Sequence, residues 1–483
     1  MTALNILQKH ICLSSRQLVE QHLGHAKELL MSKDPADIYS ALNCLDSALK
    51  LSPHSERAIE LKARALLCLR RFKDVANLLR EFIPSLKMEP VGLKTALDTE
   101  KIMLLESHSD PSKVEKAMNV HCFSLFRSKA RLLVALTKRG EREQWKYVIL
   151  GQACCHLGMM QDAMVLLSNG RRVASAAIRE ESNNMPEDNF IEGTMLGADS
   201  DTVNHLLQSI KYLLRRRAAA LAALEAGLYL EAARHFSKII DGRRGTPQAF
   251  VAECCLYRAI SYHAANRIVD AIADCNRSLA LNPTCVESID LRATLYETIG
   301  CFDDCLQDLD RLKSIYASGF QNQKSLWVHK PTTDTDLQGA IDFINNRLSS
   351  VRERWSTYDT IDHYRVLGIS RGCTRAEVER AFLILSLKHR PDKTTHFIDR
   401  CDFVDDRQID DVKGHARLMG LKLNRLIERA YTRVLTSMEE EMRTGAAYAN
   451  LGSLTVDTVS FLRPSYRHPK ELQQGIMDGN ISC

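Results

Sequence analysis

Apolar residues recur along most of the chain at spacings of three and four, which is the period of an amphipathic α-helix. Windows 255–283 and 289–316 show the same order of apolar, small and polar positions when one is aligned on the other at a fixed offset. The offset aligns three identical pairs: Arg258 with Arg292, Ala259 with Ala293, and Tyr262 with Tyr296. Small residues at a helix crossing allow close approach of the two helices. The pattern therefore predicts tandem helical hairpins.

The same arrangement of small, aromatic and proline positions occurs in four further stretches, at 37–53, 58–84, 147–167 and 218–240. The offset that aligns Arg258 with Arg292 is the period of about 34 residues that is typical of the tetratricopeptide repeat. The chain resembles that family over most of the range 20–320. The resemblance implies a stacked solenoid of about six hairpins with a groove that binds peptides or partner proteins. The alternative is a helical scaffold without a dedicated ligand.

Some tetratricopeptide proteins hold the acidic tail of a chaperone with a clamp of Lys, Asn and Arg side chains. In this chain Arg57, Lys62 and Arg64 form the best candidate for a partial clamp. The first helices of the two best repeats offer Asp290, Thr294 and apolar residues instead, which do not resemble that clamp.

Residues Thr374 and Glu377 form the sequence pattern of a capping box, which predicts a helix start. The helix must end before Pro391, because the residue before a proline disfavours the α conformation. Apolar residues at helical spacing follow again near Tyr431. Two antiparallel helices joined through a Pro-Asp loop are therefore predicted. The apolar positions of the two helices are Val378, Ala381, Phe382, Leu385, Leu426, Ile427, Ala430, Tyr431, Val434 and Leu435.

This region, about 362–438, resembles the J-domain of DnaJ-type co-chaperones, beginning with Tyr364, Leu367 and Gly368 as its first short helix. In that family a His-Pro-Asp loop contacts the DnaK-type (heat-shock 70) chaperone and triggers ATP hydrolysis. Basic residues on the second helix steer docking to an acidic chaperone surface. The resemblance assigns a contact loop, His389, Arg390, Pro391 and Asp392. It assigns a docking face to Arg375, Arg380, Lys388 and Lys393.

The contact loop departs from the family, because Arg390 occupies the histidine position and His389 precedes it. Either the tripeptide has become Arg-Pro-Asp, or His389 takes the role of the missing histidine. An arginine keeps a donor and adds charge, but it lacks the compact imidazole. The loop is also followed by an acidic insert, residues 398–411. The insert either shields the basic helix or is a solvated insertion, which long loops tolerate at low cost.

The predicted fold class is all-α, a tetratricopeptide solenoid followed by a small helical J-domain. A polar, acidic and aperiodic stretch divides the repeats, and a second break precedes an amphipathic capping helix. The predicted organisation is as follows: N-terminal hairpins 1–170, linker 171–203, C-terminal hairpins 204–320, linker and capping helix 321–354, J-like domain 355–440, and C-terminal tail 441–483.

The composition agrees with a helical protein, since 45% of the 483 residues are hydrophobic but only 6% are aromatic. A net charge of +5 is too small to indicate a nucleic-acid partner by itself. The basic runs Leu213–Arg217 and Gly242–Arg244 lack neighbouring aromatic platforms, so we do not expect nucleic-acid binding through them. No apolar run reaches the roughly 20 residues that cross a bilayer, so no membrane partner is expected.

The 15 cysteines include no CxxC pair, and the N-terminus lacks the pattern of a secretory signal. We therefore expect a reducing compartment, the cytoplasm or the nucleus. Cys154, Cys155 and His156 form a weak metal candidate, and buried free thiols are the simpler interpretation. The chain lacks the short motifs of nucleotide-binding, zinc-protease and hydrolase sites. We expect no catalysis, no cofactor and no metal.

The leading hypothesis is a co-chaperone adaptor that binds partner or client proteins through the repeats and recruits a DnaK-type chaperone through the J-like domain. The second hypothesis is an interaction scaffold whose J-like domain no longer stimulates ATP hydrolysis. The feature that discriminates between them is Arg390. A third hypothesis is a regulator that acts with RNA through the basic runs.

Overall fold

The computed structural model describes residues 15–32, 34–87, 144–184, 196–242, 244–321, 334–357, 361–403, 405 and 408–452. The chain separates into two compact units, Met1–Tyr431 and Thr432–Cys483. The first unit contains the repeat array and most of the J-like region. The described part of the second unit is helical.

The described part of the array contains six helical hairpins, in which helices that follow one another along the chain pack together. This neighbour-to-neighbour packing confirms the predicted all-α solenoid. The hairpins are formed by α1 (Ser15–Met31) with α2 (Pro35–Leu51), α3 (Glu56–Cys68) with α4 (Phe72–Leu78), α6 (Gln144–His156) with α7 (Met160–Asn184), α8 (Leu196–Glu225) with α9 (Tyr229–Ile240), α10 (Gln248–Ala264) with α11 (Ile268–Leu281), and α12 (Val286–Thr298) with α13 (Phe302–Gln321). A 3₁₀ turn at Arg80–Phe82 and a one-turn helix α5 (Pro84–Lys87) follow α4.

The turn inside a hairpin uses a left-handed backbone residue at a constant place. Glycine fills it after α6, α8 and α12, and Arg70 and Asn266 fill it after α3 and α10, with φ of 57° and 56°. Gly158 also permits a close approach, because an added Cβ would lie 2.8 Å from the Cβ of Ala249. A side chain at this position would therefore meet both backbone strain and helix α10.

A buried ion pair repeats with the hairpin period. Arg258 on α10 donates to both carboxylate oxygens of Asp274 on α11, at 2.6 and 2.8 Å. Arg292 on α12 makes the same bidentate contact with Asp308 on α13, at 2.8 and 2.6 Å. Each pair joins residues 16 positions apart, and all four side chains are buried. The two arginines found by the sequence comparison thus cross-link the two helices of their hairpins.

Helix α14 (Asp334–Thr357) follows the last hairpin and packs on α13. It buries Ile344, Leu348 and Val351, which are three of the apolar positions that predicted this helix. Its Arg347 contacts Asp290 at 2.8 Å, Glu297 at 2.8 Å and the Thr294 hydroxyl at 2.9 Å on α12. The side chains of Asp290 and Thr294 are therefore engaged by the protein itself.

The J-like region contains α15 (His363–Leu367), α16 (Arg375–Lys388) and α17 (Ile409–Gly452). Asp362 caps α15 by accepting from the Arg365 amide at 3.1 Å. The predicted capping box is present on α16: Thr374 accepts from the amide of Glu377, and Glu377 accepts from the amide of Thr374. Phe382 of α16 stacks on Tyr431 of α17 with ring centroids 4.1 Å apart.

Some predicted boundaries differ from the structure. Helices α7 and α8 extend into the predicted linker 171–203, whose Ala, Arg and Glu residues favour helix despite the irregular apolar pattern. Residues 185–195 lie outside the described part. The predicted boundary between 440 and 441 falls inside α17, and the rest of the predicted tail, 453–483, is also outside the described residues.

Two short strands are an addition to the predicted all-α fold. Strand β1 (Thr246–Pro247) lies before α10, and strand β2 (Cys401–Asp402) lies in the acidic insert. The two pair in parallel, with Thr246 opposite Cys401. The insert is therefore hydrogen-bonded to the array.

Candidate functional site

The contact loop lies between α16 and a 3₁₀ turn at Pro391–Lys393, and its two ends face different surroundings. Arg390 and Asp392 are about half exposed and pair with each other: Nε donates to Oδ1 at 3.1 Å, and Nη2 lies 3.1 Å from Oδ2. The resemblance assigns Asp392 to chaperone contact. In the structure its carboxylate is paired with Arg390, which occupies the position of the family's histidine.

His389 faces the array. Its ring is buried, with 4% of the residue exposed, and its Nε2 lies 2.8 Å from Oδ1 of Asp270 on α11. The Nζ of Lys388 lies 2.7 Å from the same oxygen, and it also sits 5.0 Å from the centre of the Tyr262 ring. Arg267 occupies the other oxygen of Asp270 at 2.5 Å. We call the set formed by Asp270, Lys388 and His389 the Asp270 contact.

The pKa shifts define the charges in the Asp270 contact. Burial alone would raise the pKa of Asp270, but the hydrogen bond from His389 and the charge of Lys388 lower it well below the usual value. Burial lowers the pKa of His389, although Asp270 opposes that shift. We conclude that His389 is neutral at neutral pH and donates its Nε2 proton to an ionised Asp270. Lys388 and Arg267 supply the opposite charge.

The four predicted docking residues do not form one basic face. Arg375 and Lys388 are at opposite ends of α16, about 20 Å apart along the helix axis. Arg375 pairs with Glu379 at 3.0 Å, while Arg380 is exposed. Between the ends, the exposed side of α16 presents apolar side chains, which are Leu383, Ile384 and Leu387, each more than half exposed. The positive charge of α16 is therefore divided between Arg375 and Arg380 in its first half and Lys388 at its last residue.

The first part of the acidic insert lies against the array. We call residues 397–403 the anchor segment. Its buried side chains belong to the same apolar cluster as Phe250 and Cys254 of α10, and they are Phe397, Ile398, Cys401 and Phe403. The amide of Gly245 donates to the Arg400 carbonyl at 2.7 Å, next to the β1–β2 pair. The expectation of a solvated insertion is therefore wrong for these residues, whose apolar side chains pack against the array. The reason is that the sequence IDRCDF carries apolar side chains among its charges.

Asp402 extends the attachment to the N-terminal hairpins. Its Oδ1 accepts from Nη2 of Arg70 at 3.0 Å, and its Oδ2 lies 3.3 Å from Nδ1 of His156. Both Asp402 and His156 are buried. A carboxylate from the predicted insert thus reaches residues more than 240 positions earlier in the chain.

A cavity of about 370 Å³ lies beside the Asp270 contact. The array contributes Arg258, Asp270 and Arg277 to its wall, and the J-like region contributes Lys393 and His396. Lys393, which was predicted as a docking residue, is therefore at the junction between the two regions. Helix α17 closes on this loop at Gly420, where an added Cβ would lie 2.4 Å from the side chain of Thr394.

The other candidate sites have internal partners. Of the possible clamp residues, Lys62 lies 2.5 Å from Asp46, Arg64 2.6 Å from Glu60, and Arg57 3.7 Å from Glu20. In the basic run Leu213–Arg217, Arg217 is buried and pairs with Glu253 at 3.0 Å. An acidic ligand or a phosphate would have to compete with these carboxylates.

Cys154, Cys155 and His156 are buried in the array. Burial raises the pKa of both thiols, and burial together with the charge of Arg70 lowers the pKa of His156 to about 3. His156 stacks on Phe72 with ring centroids 4.3 Å apart. In the described part of the chain, no group of three or more His, Cys, Asp or Glu side chains is placed to share a metal ion. Within the same residues, no helix is both long and apolar enough to span a membrane.

No protein-family model matches the chain. A curated relative, the DnaJ homolog subfamily C member 7 homolog of Schizosaccharomyces pombe, is 21% identical over 204 residues. The chain is similar to a DnaJ homolog. This similarity confirms the resemblance inferred from the sequence. The match covers 42% of this chain and only 38% of the relative.

Two solved structures also match. The match to the TPR domain of P58(IPK) covers 88% of this chain and 99% of the solved chain, with 15% sequence identity and a TM-score of 0.39. The match to the TPR2AB domain of yeast Sti1 in complex with pHSP90 covers 68% of this chain and 98% of the solved chain, with 11% sequence identity and a TM-score of 0.23. At these TM-scores neither structure supports an argument about the candidate site.

The sequence reasoning missed Asp270 and the anchor segment. The repeat period offered one signal, because Asp270 and Asp304 are separated by the same interval as Arg258 and Arg292. The apolar residues of IDRCDF offered another. No sequence pattern, however, connects His389 with Asp270, because the two are 119 positions apart and belong to different regions.

Proposed function

We propose that this protein is a non-catalytic co-chaperone adaptor. Its repeat array binds partner or client proteins, and its J-like region recruits a DnaK-type (heat-shock 70) chaperone. The proposal rests on one observation: the half-exposed Arg390-Pro391-Asp392 turn ends a capped helix, in a region that is joined to a repeat array. The similarity to a DnaJ homolog supports it.

The chemistry of recruitment follows from the exposed groups. Arg375 and Arg380 provide positive charge that attracts an acidic surface before contact is made. Asp392 then has to exchange its internal partner Arg390 for a partner on the chaperone. This exchange costs little, because a pair of exposed charges contributes little in water.

The test is single-turnover ATP hydrolysis by a purified DnaK-type chaperone in the presence of the full chain. We expect acceleration by the wild type and a loss of about tenfold or more in that acceleration for Asp392→Asn. Asp410→Asn is the matched control, because Asp410 is an exposed carboxylate of the same region, in the first turn of α17 and not in the contact loop. No acceleration by any variant, together with no binding, would contradict the proposal.

The second candidate is an interaction scaffold whose J-like region has lost its trigger. The observation that favours it is the Arg390–Asp392 pair, which ties up the loop carboxylate while His389 points into the array. Arg390→His separates the two functions in the same assay. If only this variant accelerates hydrolysis, the natural loop is inactive and the scaffold function is the correct one.

A further inference from the structure

The end of α16 forms a site for a carboxylate. Lys388 and His389 both point at one oxygen of Asp270, at 2.7 and 2.8 Å. Lys388 is also one of the residues that the resemblance assigns to docking on an acidic chaperone surface. The array therefore already supplies the kind of group that an external partner would bring.

We propose that Asp270 is an intramolecular competitor of the chaperone, so that the contact loop is closed until an external carboxylate displaces Asp270. This inference rests on the proposed function, because it concerns access to the same loop. The regulated site is the junction between α11 and the end of α16. Its external ligand is an acidic surface of the partner protein.

In the closed site Asp270 already engages His389. Asp270 has only 3% of its surface exposed, and His389 has 4%. The proton on Nε2 of His389 is used by Asp270, and Lys388 is held between that carboxylate and the Tyr262 ring. A partner that needs the His389 donor must open the contact first, whereas the Lys388 side chain stays partly exposed.

The rest of the J-like region favours closure. The anchor segment is buried against the array, and the amide of Asp362 donates to the carbonyl of Ile299 at 2.9 Å. Helix α15 contacts α11, which is the helix that carries Asp270. These attachments hold the loop near Asp270 at a high effective concentration, so a free chaperone competes at a disadvantage.

Closure leaves a place for the first encounter. Arg375, Arg380, Arg390 and Asp392 remain exposed while the Asp270 contact is formed. A chaperone can therefore approach along these residues, and the release of Lys388 and His389 completes the docking surface. Opening is confined to the loop, since the anchor segment does not have to leave the array.

Asp304 provides a matched control. It occupies the place of Asp270 in the next hairpin, at the same interval that separates Arg258 from Arg292. Burial raises its pKa, while the charge of Lys422 only partly opposes that shift, in contrast to the lowered pKa of Asp270. Asp304→Asn makes the same chemical change as Asp270→Asn without touching the contact loop.

The experiment compares the wild-type full chain with Asp270→Asn, Tyr262→Leu and Asp304→Asn in two measurements. Hydrogen–deuterium exchange of peptides covering 386–396 reports opening without any chaperone. Titration with a purified DnaK-type chaperone and ATP gives the Kd. Because closure reduces the apparent affinity by the open fraction, Asp270→Asn should increase exchange and tighten binding by about 10-fold to 100-fold.

Tyr262→Leu leaves Asp270 in place and should shift both measurements in the same direction by a smaller factor, while Asp304→Asn should match the wild type. The Tyr262→Leu variant therefore keeps the test valid if Asp270→Asn does not fold. Equal exchange and equal Kd for all four proteins would overturn the inference and leave the proposed function standing. Faster exchange without chaperone binding by any protein would overturn the proposed function, and the competition with it.

Discussion

Hairpins α10–α11 and α12–α13 contain the same internal ion pair but make different contacts with the J-like region. Both bury an arginine–aspartate pair at equivalent positions, Arg258–Asp274 and Arg292–Asp308. The aspartates in the first turns of their second helices, Asp270 and Asp304, have different surroundings. Asp270 accepts from the J-like region and has a lowered pKa, whereas burial raises the pKa of Asp304.

The difference shows which features of a repeat follow from its period. The ion pair lies within one hairpin, so the same residues at the same spacing reproduce it. The environment of Asp270 depends on Lys388 and His389 at the end of α16, whereas the J-like residue whose charge acts on Asp304 is Lys422 of α17. The same residue type at equivalent positions of two hairpins therefore has different partners: Asp270 binds the end of α16, and Asp304 does not.

The largest expected effect concerns the feature that the two hairpins share. Arg258→Ala and Arg292→Ala should each lower the free energy of unfolding by about 3–5 kcal/mol, because each leaves a buried carboxylate without its bidentate partner. Urea denaturation followed by circular dichroism measures the change. Lys313→Ala, at an exposed position of the same array, should change it by less than about 0.5 kcal/mol. A loss below about 1 kcal/mol for either arginine would break the equivalence of the hairpins.

The anchor segment shares an apolar cluster with α10, the first helix of one of the two hairpins. Phe403→Ala should lower the free energy of unfolding by about 3 kcal/mol, since the side chain is 1% exposed and its removal leaves a cavity. Exchange of peptides covering 397–403 should increase as well. The control is Leu387→Ala, because Leu387 is half exposed on α16. If both variants unfold like the wild type, the anchor segment does not hold the J-like region on the array.

The two aspartates should respond to pH with opposite signs. The pKa of Asp270 is lowered in the folded protein, so its stabilisation is present above the ordinary value of about 3.8 and is lost below it, as the pH falls through the lower pKa of the folded state. The pKa of Asp304 is raised, so its ionised form destabilises the fold at neutral pH and this cost disappears on acidification.

Asp270→Asn should therefore be less stable than the wild type by about 1.5–3 kcal/mol at pH 7, because it loses hydrogen bonds to a charged group, and Asp304→Asn should be more stable. The difference for Asp304→Asn should shrink as the pH falls towards 3.8, whereas the difference for Asp270→Asn should shrink only below 3.8. Urea denaturation at a series of pH values provides the measurement. Differences of the same sign for the two variants would contradict the assignment of the Asp270 contact.

The smallest effect is expected at the exposed end of the contact loop. Arg390→Ala removes the pair with Asp392, but both side chains are about half exposed, and such pairs contribute little. The free energy of unfolding should change by less than about 0.5 kcal/mol, as measured by urea denaturation. A larger loss would show that the tripeptide is a structural element and not a contact surface.

The sequence predicted the hairpins, the capping box on α16 and the helix at 334–357, because these depend on residues close together in the chain. It also placed the Pro-Asp loop between α16 and α17. It did not predict that α17 begins at Ile409, or that α7 and α8 extend into the expected linker, since helix propensity there prevails over an irregular apolar pattern.

For the candidate site, the sequence supplied the loop residues through a resemblance, and the structure divided them. Arg390 and Asp392 face outwards and pair, whereas His389 turns inwards. The sequence left two roles open for His389, and the structure gives it an internal partner. That partner could not be inferred from spacing, because no period relates the J-like region to the array.

The sequence by itself determined the local architecture: amphipathic helices, turns that tolerate a left-handed residue, and small residues where helices cross. These features follow from backbone geometry and short-range side-chain contacts. Only the tertiary structure decided that the anchor segment is buried and that Asp270, Lys388 and His389 meet. The physical reason is that long-range contacts depend on which apolar surfaces and opposite charges the folded array leaves available, and that choice is made by the whole chain.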